Sequence, residues 1–177
     1  VLAAEPSRSA AFRAFDLARA VGLPLIFDID YRPYSWPSAE VAAGIYSRAG
    51  AMCDVIVGND VEFGFMAGRP ELGLEKARSL IAGGAQIVVY KMGEKGAVTI
   101  TPEEEFSTGT YPTQALKPTG AGDSFLGAMV WAMARGWPIE QSFRLAMAAG
   151  AAATSNAGTT LFKKDEVIRP FAGAGGQ

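Results

Sequence analysis

Three short apolar runs, LPLIFDI (Leu23 to Ile29), DVIVGN (Asp54 to Asn59) and QIVVYKMG (Gln86 to Gly93), recur along the chain, each behind a stretch of helical spacing. This alternation constrains the fold more than any other feature. A strand that is apolar along its whole length needs cover on both faces, and parallel strands joined by crossover helices supply it. The segments between carry the matching signals. From Ser7 to Val21 apolar residues return with helical period, behind Pro6 and ahead of Gly22; Ser38 to Gly50 and Gly73 to Gly83 read the same way. The pattern predicts an α/β doubly wound sheet, which binds ligands beyond the carboxyl ends of its strands. Those ends carry DIDYR, GNDVE and KMGEKG.

After the third run, GAVTITPEEEFSTGTYPTQAL (Gly96 to Leu116) alternates and contains turn signals, which predicts short, largely antiparallel strands. Helices are expected from about Gly122 to Ala134 and from about Ile139 to Asn156, with a short one near Asp165. A length of 177 residues fits a single α/β domain over 1–177, with residues 170–177 as a frayed tail.

The composition removes several classes of chemistry. With no histidine, Ser-His-Asp and Cys-His catalysis are excluded, as are imidazole-built zinc sites. A single cysteine, Cys53, excludes an intrachain disulfide and suits a reducing compartment. Acid–base work must fall to carboxylates, lysine or tyrosine. Sixteen basic and eighteen acidic residues leave a net charge of −2, which offers no general attraction to nucleic acid or anionic membrane. The opening VLAAEPSRSAAFRAFDLARA lacks the layout of a signal peptide, and no run is long enough to span a bilayer, so a cytoplasmic protein is expected.

The stretch LKPTGAGDSFLGAMVWAMA sets Gly120, Ala121 and Gly122 ahead of Asp123 where an apolar helical run begins. The first turn of a helix has unpaired N–H groups and partial positive charge, so either a bound anion or the aspartate itself gains there. The stretch fits neither the phosphate loop that ends in Gly-Lys-Ser/Thr nor a dinucleotide fingerprint, because Phe125 takes the third glycine's place. Gly-Ala-Gly-Asp-Ser-Phe does resemble the second signature of the PfkB/ribokinase family of carbohydrate kinases. The resemblance implies Asp123 as the base that takes the proton of a sugar hydroxyl, with Gly120, Ala121 and Gly122 lining an anion hole for the transferred phosphoryl group. It also implies a ribokinase-like doubly wound αβα sandwich with a mostly parallel sheet.

Other segments extend the resemblance. Asn59 and Glu62 in GNDVEF match an Asn-x-x-Glu motif that organises magnesium, often through water, and the nucleotide phosphates; a plain helix cap is the other interpretation. Lys91, Gly93 and Gly96 match Lys-x-Gly-x-x-Gly beside the nucleotide, with a simple hairpin turn as the alternative. In FDIDYRPYSW, Asp30 stands where many family members have asparagine, followed by Arg32 and Trp36. This pattern is similar to the branch acting on 5-dehydro-2-deoxygluconate in inositol breakdown. It implies that Arg32, with Asp30, meets an acid sugar; alternatively Arg32 pairs with Asp28 or Asp30 and the aromatics fill the core. Met147 falls beside adenine in the family pattern. Lys117, where relatives often have an acid that helps to hold a monovalent cation, implies a lysine in potassium's place or a solvated side chain.

The resemblance covers essentially all 177 residues but only the carboxyl-terminal part of the family's length. The N-terminal strands and lid are expected to be lacking, which leaves open whether the chain alone turns over. The expected reaction is phosphoryl transfer from ATP, with Mg²⁺, to the terminal hydroxyl of a keto-deoxy sugar acid. Acceptors such as 2-keto-3-deoxygluconate or fructose are alternatives that Asp30 argues against, and a nucleotide-binding module without turnover is another. Open sheet edges allow for a homo-oligomer.

Overall fold

The computed structural model describes residues 1–114, 116, 119–155 and 163–173. Expected as one domain, the chain divides into two compact units, Val1–Thr108 and Gly109–Gln177.

The first unit contains α1 (Ser7–Ala20), β1 (Ile26–Asp28), α2 (Ala39–Gly50), β2 (Val55–Asn59), α3 (Asp60–Met66), α4 (Gly73–Ala82), β3 (Ile87–Lys91), β4 (Ala97–Ile100) and β5 (Glu105–Thr108). Local chemistry sets the ends. Gly22, at φ 72°, closes α1, and the amide of Leu23 returns to the carbonyl of Ala18. Ser38 caps α2 by accepting a hydrogen bond from the amide of Val41.

Strands β1, β2 and β3 are parallel, with Phe27 beside Ile56 and Ile56 beside Val88. β3, β4 and β5 are antiparallel, so the sheet is mixed and its strand order follows chain order. The order reversal of a doubly wound sheet does not occur among the described strands. Ile56, Phe63 and Val88 are fully buried in the unit's core, which also takes in Phe27, Ile29, Tyr46 and Tyr90. Burying a side chain such as Phe63 stabilises the fold by about 1.5–3 kcal/mol.

The second unit contains α5 (Ala121–Met133), α6 (Ile139–Thr154) and α7 (Lys164–Gly173). Gly136, at φ 72°, turns the chain between α5 and α6. Phe125 and Phe143 meet edge to face at 5.4 Å, and Met129, Ala132, Leu145 and Ala149 are buried. A methyl group at Gly150 would lie 3.3 Å from the carbonyl oxygen of Ala121, so the glycine lets α6 approach the first turn of α5.

Several boundaries differ from expectation. The strand expected over Leu23 to Ile29 pairs only across Ile26–Asp28, and the alternating stretch yields two strands and no strand over 109–114. α5 begins at Ala121, one residue early. Residues 170–173, expected in the tail, belong to α7; the rest of the tail, Asn156 and Lys117 lie outside the described residues.

Candidate active site

The carboxyl ends of β1, β2 and β3 bring together most of the residues singled out in the first unit. Asn59 ends β2 and caps α3, its Oδ1 accepting from the amide of Glu62 at 2.9 Å. The Glu62 carboxylate answers through Oε2, which accepts from the Asn59 amide at 2.8 Å, completing a capping box. Its other oxygen, Oε1, accepts from the amide of Tyr31 at 3.0 Å, tying the segment after β1 to the start of α3. The cap interpretation of Asn59 and Glu62 is therefore built in full.

Glu62 is buried. Burial raises its pKa above the ordinary carboxylate range and the nearby Asp28 charge adds to this, while the amides of Asn59 and Tyr31 and the Lys91 charge act in the opposite direction. Lys91 stands beside Asn59 in the β2–β3 register. Among the described residues no three His, Cys, Asp or Glu side chains converge as a metal-ligand cluster. Asn59 and Glu62 do offer oxygen atoms alone, and each Glu62 oxygen retains acceptor capacity beyond its one backbone bond. That donor set suits Mg²⁺ held through water and phosphate rather than in an all-protein cage.

The segment after β1 is held from several sides. Asp30 has φ 42°, in the left-handed region, and its carbonyl accepts from the Tyr46 hydroxyl at 3.5 Å. The Tyr31 ring stacks on Phe65 at 3.7 Å. Nη2 of Arg32 lies 2.6 Å from Oδ1 of Asp30, so the expected alternative of an Arg32–Asp30 pair is realised. Trp36 packs against Tyr46 at 5.2 Å and belongs to the core's margin, while Tyr34 is exposed.

Between β3 and β4 the chain makes a tight turn. Gly93 (φ 58°) and Gly96 (φ 86°) adopt conformations that disfavour a side chain. The turn is closed by amide-to-carbonyl bonds from Gly96 to Gly93 at 3.1 Å and from Met92 to Gly96 at 2.8 Å. This is the hairpin, and it leaves Lys91 at the strand end.

In the second unit Gly120, at φ 86°, is the residue on which α5 starts, and among the described residues no side chain caps the helix. Ala121, Gly122 and Asp123 form its first turn; Asp123 is exposed. Uncapped amides at the positive end of a helix dipole form a site for an anion. Met147 is half-buried on α6. The same unit has a cleft of about 550 Å³ between the Tyr111–Thr113 stretch, the end of α6 and α7, and none of the residues singled out from sequence lines it.

Sequence reasoning missed Tyr46 and Phe65, which support the 30–32 segment from α2 and α3. It also passed over Gly58, where a methyl group would lie 2.5 Å from Cδ1 of Ile29. A lone glycine inside a strand was the available signal for that close approach.

Comparison with known proteins gives a concordant result. The family model described as pfkB family carbohydrate kinase matches residues 2–166. A protein named 5-dehydro-2-deoxygluconokinase from Geobacillus kaustophilus is 40% identical over 158 residues, covering 87% of this chain and 46% of the relative. One of the same name from Shouchella clausii is 37% identical over 156 residues, covering 87% and 48%. The chain thus spans about half the length of these curated relatives. Among solved structures, a double mutant of Vibrio cholerae fructokinase in a fructose-, ADP- and potassium-bound form superposes with a TM-score of 0.80 at 28% identity, covering 89% of this chain and 53% of the other.

Proposed function

The chain belongs to the pfkB family of carbohydrate kinases, and from that premise we propose that it serves an ATP-dependent kinase acting on the terminal hydroxyl of a keto-deoxy sugar acid, 5-dehydro-2-deoxygluconate. The observation that carries this reading is the start of α5, where Gly120 opens an uncapped first turn and Asp123 stands exposed within it. The names of the two relatives at 37% and 40% identity support the acceptor.

In the proposed reaction the Asp123 carboxylate accepts the proton of the acceptor hydroxyl. That oxygen bonds to the γ-phosphorus of ATP as the bond from phosphorus to the β,γ-bridging oxygen breaks, and ADP leaves. The turn at Gly120, Ala121 and Gly122 hydrogen-bonds the phosphoryl oxygens as charge develops on them. Lys91, with Gly93 and Gly96, borders the nucleotide phosphates, and Met147 contacts the adenine. Asn59 and Glu62 would hold Mg²⁺, which when bound would supply positive charge against the phosphates. Arg32 takes the acceptor's carboxylate, and Asp30 lines the same subsite.

This assignment puts the protein in the cytoplasm and in inositol breakdown, with association into a homo-oligomer through open sheet edges. The half-length span of the relatives favours one other reading, a nucleotide-binding module without turnover. The test joins Val1 to the amino-terminal segment of the Geobacillus kaustophilus relative and measures ATP-dependent phosphorylation of 5-dehydro-2-deoxygluconate, 2-keto-3-deoxygluconate and fructose. The keto-deoxy acid of inositol breakdown is expected to be the preferred acceptor. Nucleotide binding with no acceptor phosphorylated would favour the module.

A further inference from the structure

We propose that Asp30 is a built-in counter-ion for Arg32: it occupies the guanidinium until the carboxylate of an acid sugar displaces it, and so screens Arg32 from small anions. This rests on the assignment of Arg32 to the acceptor carboxylate. The pair is short, 2.6 Å between Nη2 of Arg32 and Oδ1 of Asp30, so part of the guanidinium fork is already filled by the protein's own carboxylate. It is also open to solvent, with side-chain exposures of 58% for Arg32 and 61% for Asp30. An exposed ion pair is weak, and a second carboxylate can reach it.

The surrounding restraints act on the main chain and leave the Asp30 carboxylate able to turn aside. The Asp30 carbonyl is held by the Tyr46 hydroxyl, and the neighbouring Tyr31 amide by Glu62 at 3.0 Å. The Tyr31 ring is clamped on Phe65. The main chain leading into Arg32 is therefore held, while the partner of its exposed guanidinium can be exchanged. A lone carboxylate gains little by exchanging with Asp30, because one ion pair replaces another. A sugar acid adds hydroxyl contacts to the exchange and prevails; a neutral sugar brings hydroxyl acceptors but no charge with which to displace Asp30.

The φ of 42° at Asp30 indicates suitable substitutions, because asparagine tolerates the left-handed region and glycine adopts it freely. Wild type, Asp30→Asn, Asp30→Gly and Arg32→Met proteins are titrated at constant ionic strength with sodium D-gluconate and, in parallel, with sorbitol, following the backbone amide signals of Tyr31 and Tyr34 by NMR. Both Asp30 variants are expected to bind gluconate about two- to fivefold more tightly than wild type, with Arg32→Met losing the response and sorbitol giving none throughout. If Arg32→Met loses binding but neither Asp30 variant tightens it, Asp30 is no counter-ion and the Arg32 assignment stands. If Arg32→Met binds gluconate as wild type does, or no protein responds to gluconate, the Arg32 assignment fails and the proposal fails with it.

Discussion

At Glu62 the demands of structure and charge oppose each other. Its two carboxylate oxygens are the acceptors for the amides of Asn59 and Tyr31, yet burial raises its pKa from the ordinary 4.5. The folded protein therefore holds this proton to higher pH than the unfolded chain does. The group's contribution to stability is complete below 4.5 and declines as pH rises from there through the folded pKa. Glu62→Gln removes the charge but turns an NH₂ toward one of the two amides, which costs about 1–3 kcal/mol. Urea midpoints should show Glu62→Gln less stable than wild type at pH 4.5, with the deficit narrowing toward pH 7. A deficit that widens with pH would show that the hydrogen bonds and Lys91 outweigh burial. The Asn59-x-x-Glu62 cap was legible from spacing alone, because it is local. The bond from Tyr31 was not, since its partners are 31 positions apart and only the β1–β2 pairing brings them together.

At the scale of elements, the start of α5 depends on one residue. Gly120 sits at φ 86°, where an L side chain costs about 1–2 kcal/mol, and nothing lies within 4 Å of a methyl group built there. Gly120→Ala should therefore lower stability by about that amount through backbone strain alone, read as a lowered thermal midpoint. An unchanged midpoint would mean that the turn adopts another conformation. Glycine followed by alanine, glycine and aspartate made this helix start readable from sequence. The strands were readable as apolar runs but not in extent: LPLIFDI is seven residues long while β1 pairs over three, because Leu25 and Ile29 are buried just outside the strand and Leu23 is exposed ahead of it. α3, at seven residues, was legible only through the cap pattern at Asn59 and Glu62, being too short to establish a period.

For the molecule as a whole, the parallel part of the fold followed from the alternation of runs, whereas the division into two units had no signal in composition or linker. Cys53 reports on the integrity of the first unit. It is 3% exposed, and burial, with the Asp54 charge beside it, pushes its thiol up to about 11. At pH 8 the native thiol should resist iodoacetamide and react once urea unfolds the chain; rapid native alkylation would show that the unit opens easily. The proposed phosphoryl transfer turns on Asp123. In the protein joined to the relative's amino-terminal segment, the decisive measurement is the rate of ADP release with 5-dehydro-2-deoxygluconate for wild type and Asp123→Ala. Loss of the base should lower kcat by about 10²–10⁴ with the thermal midpoint retained. An Asp123→Ala protein that turns over at the wild-type rate would contradict the assignment of α5 as the catalytic turn.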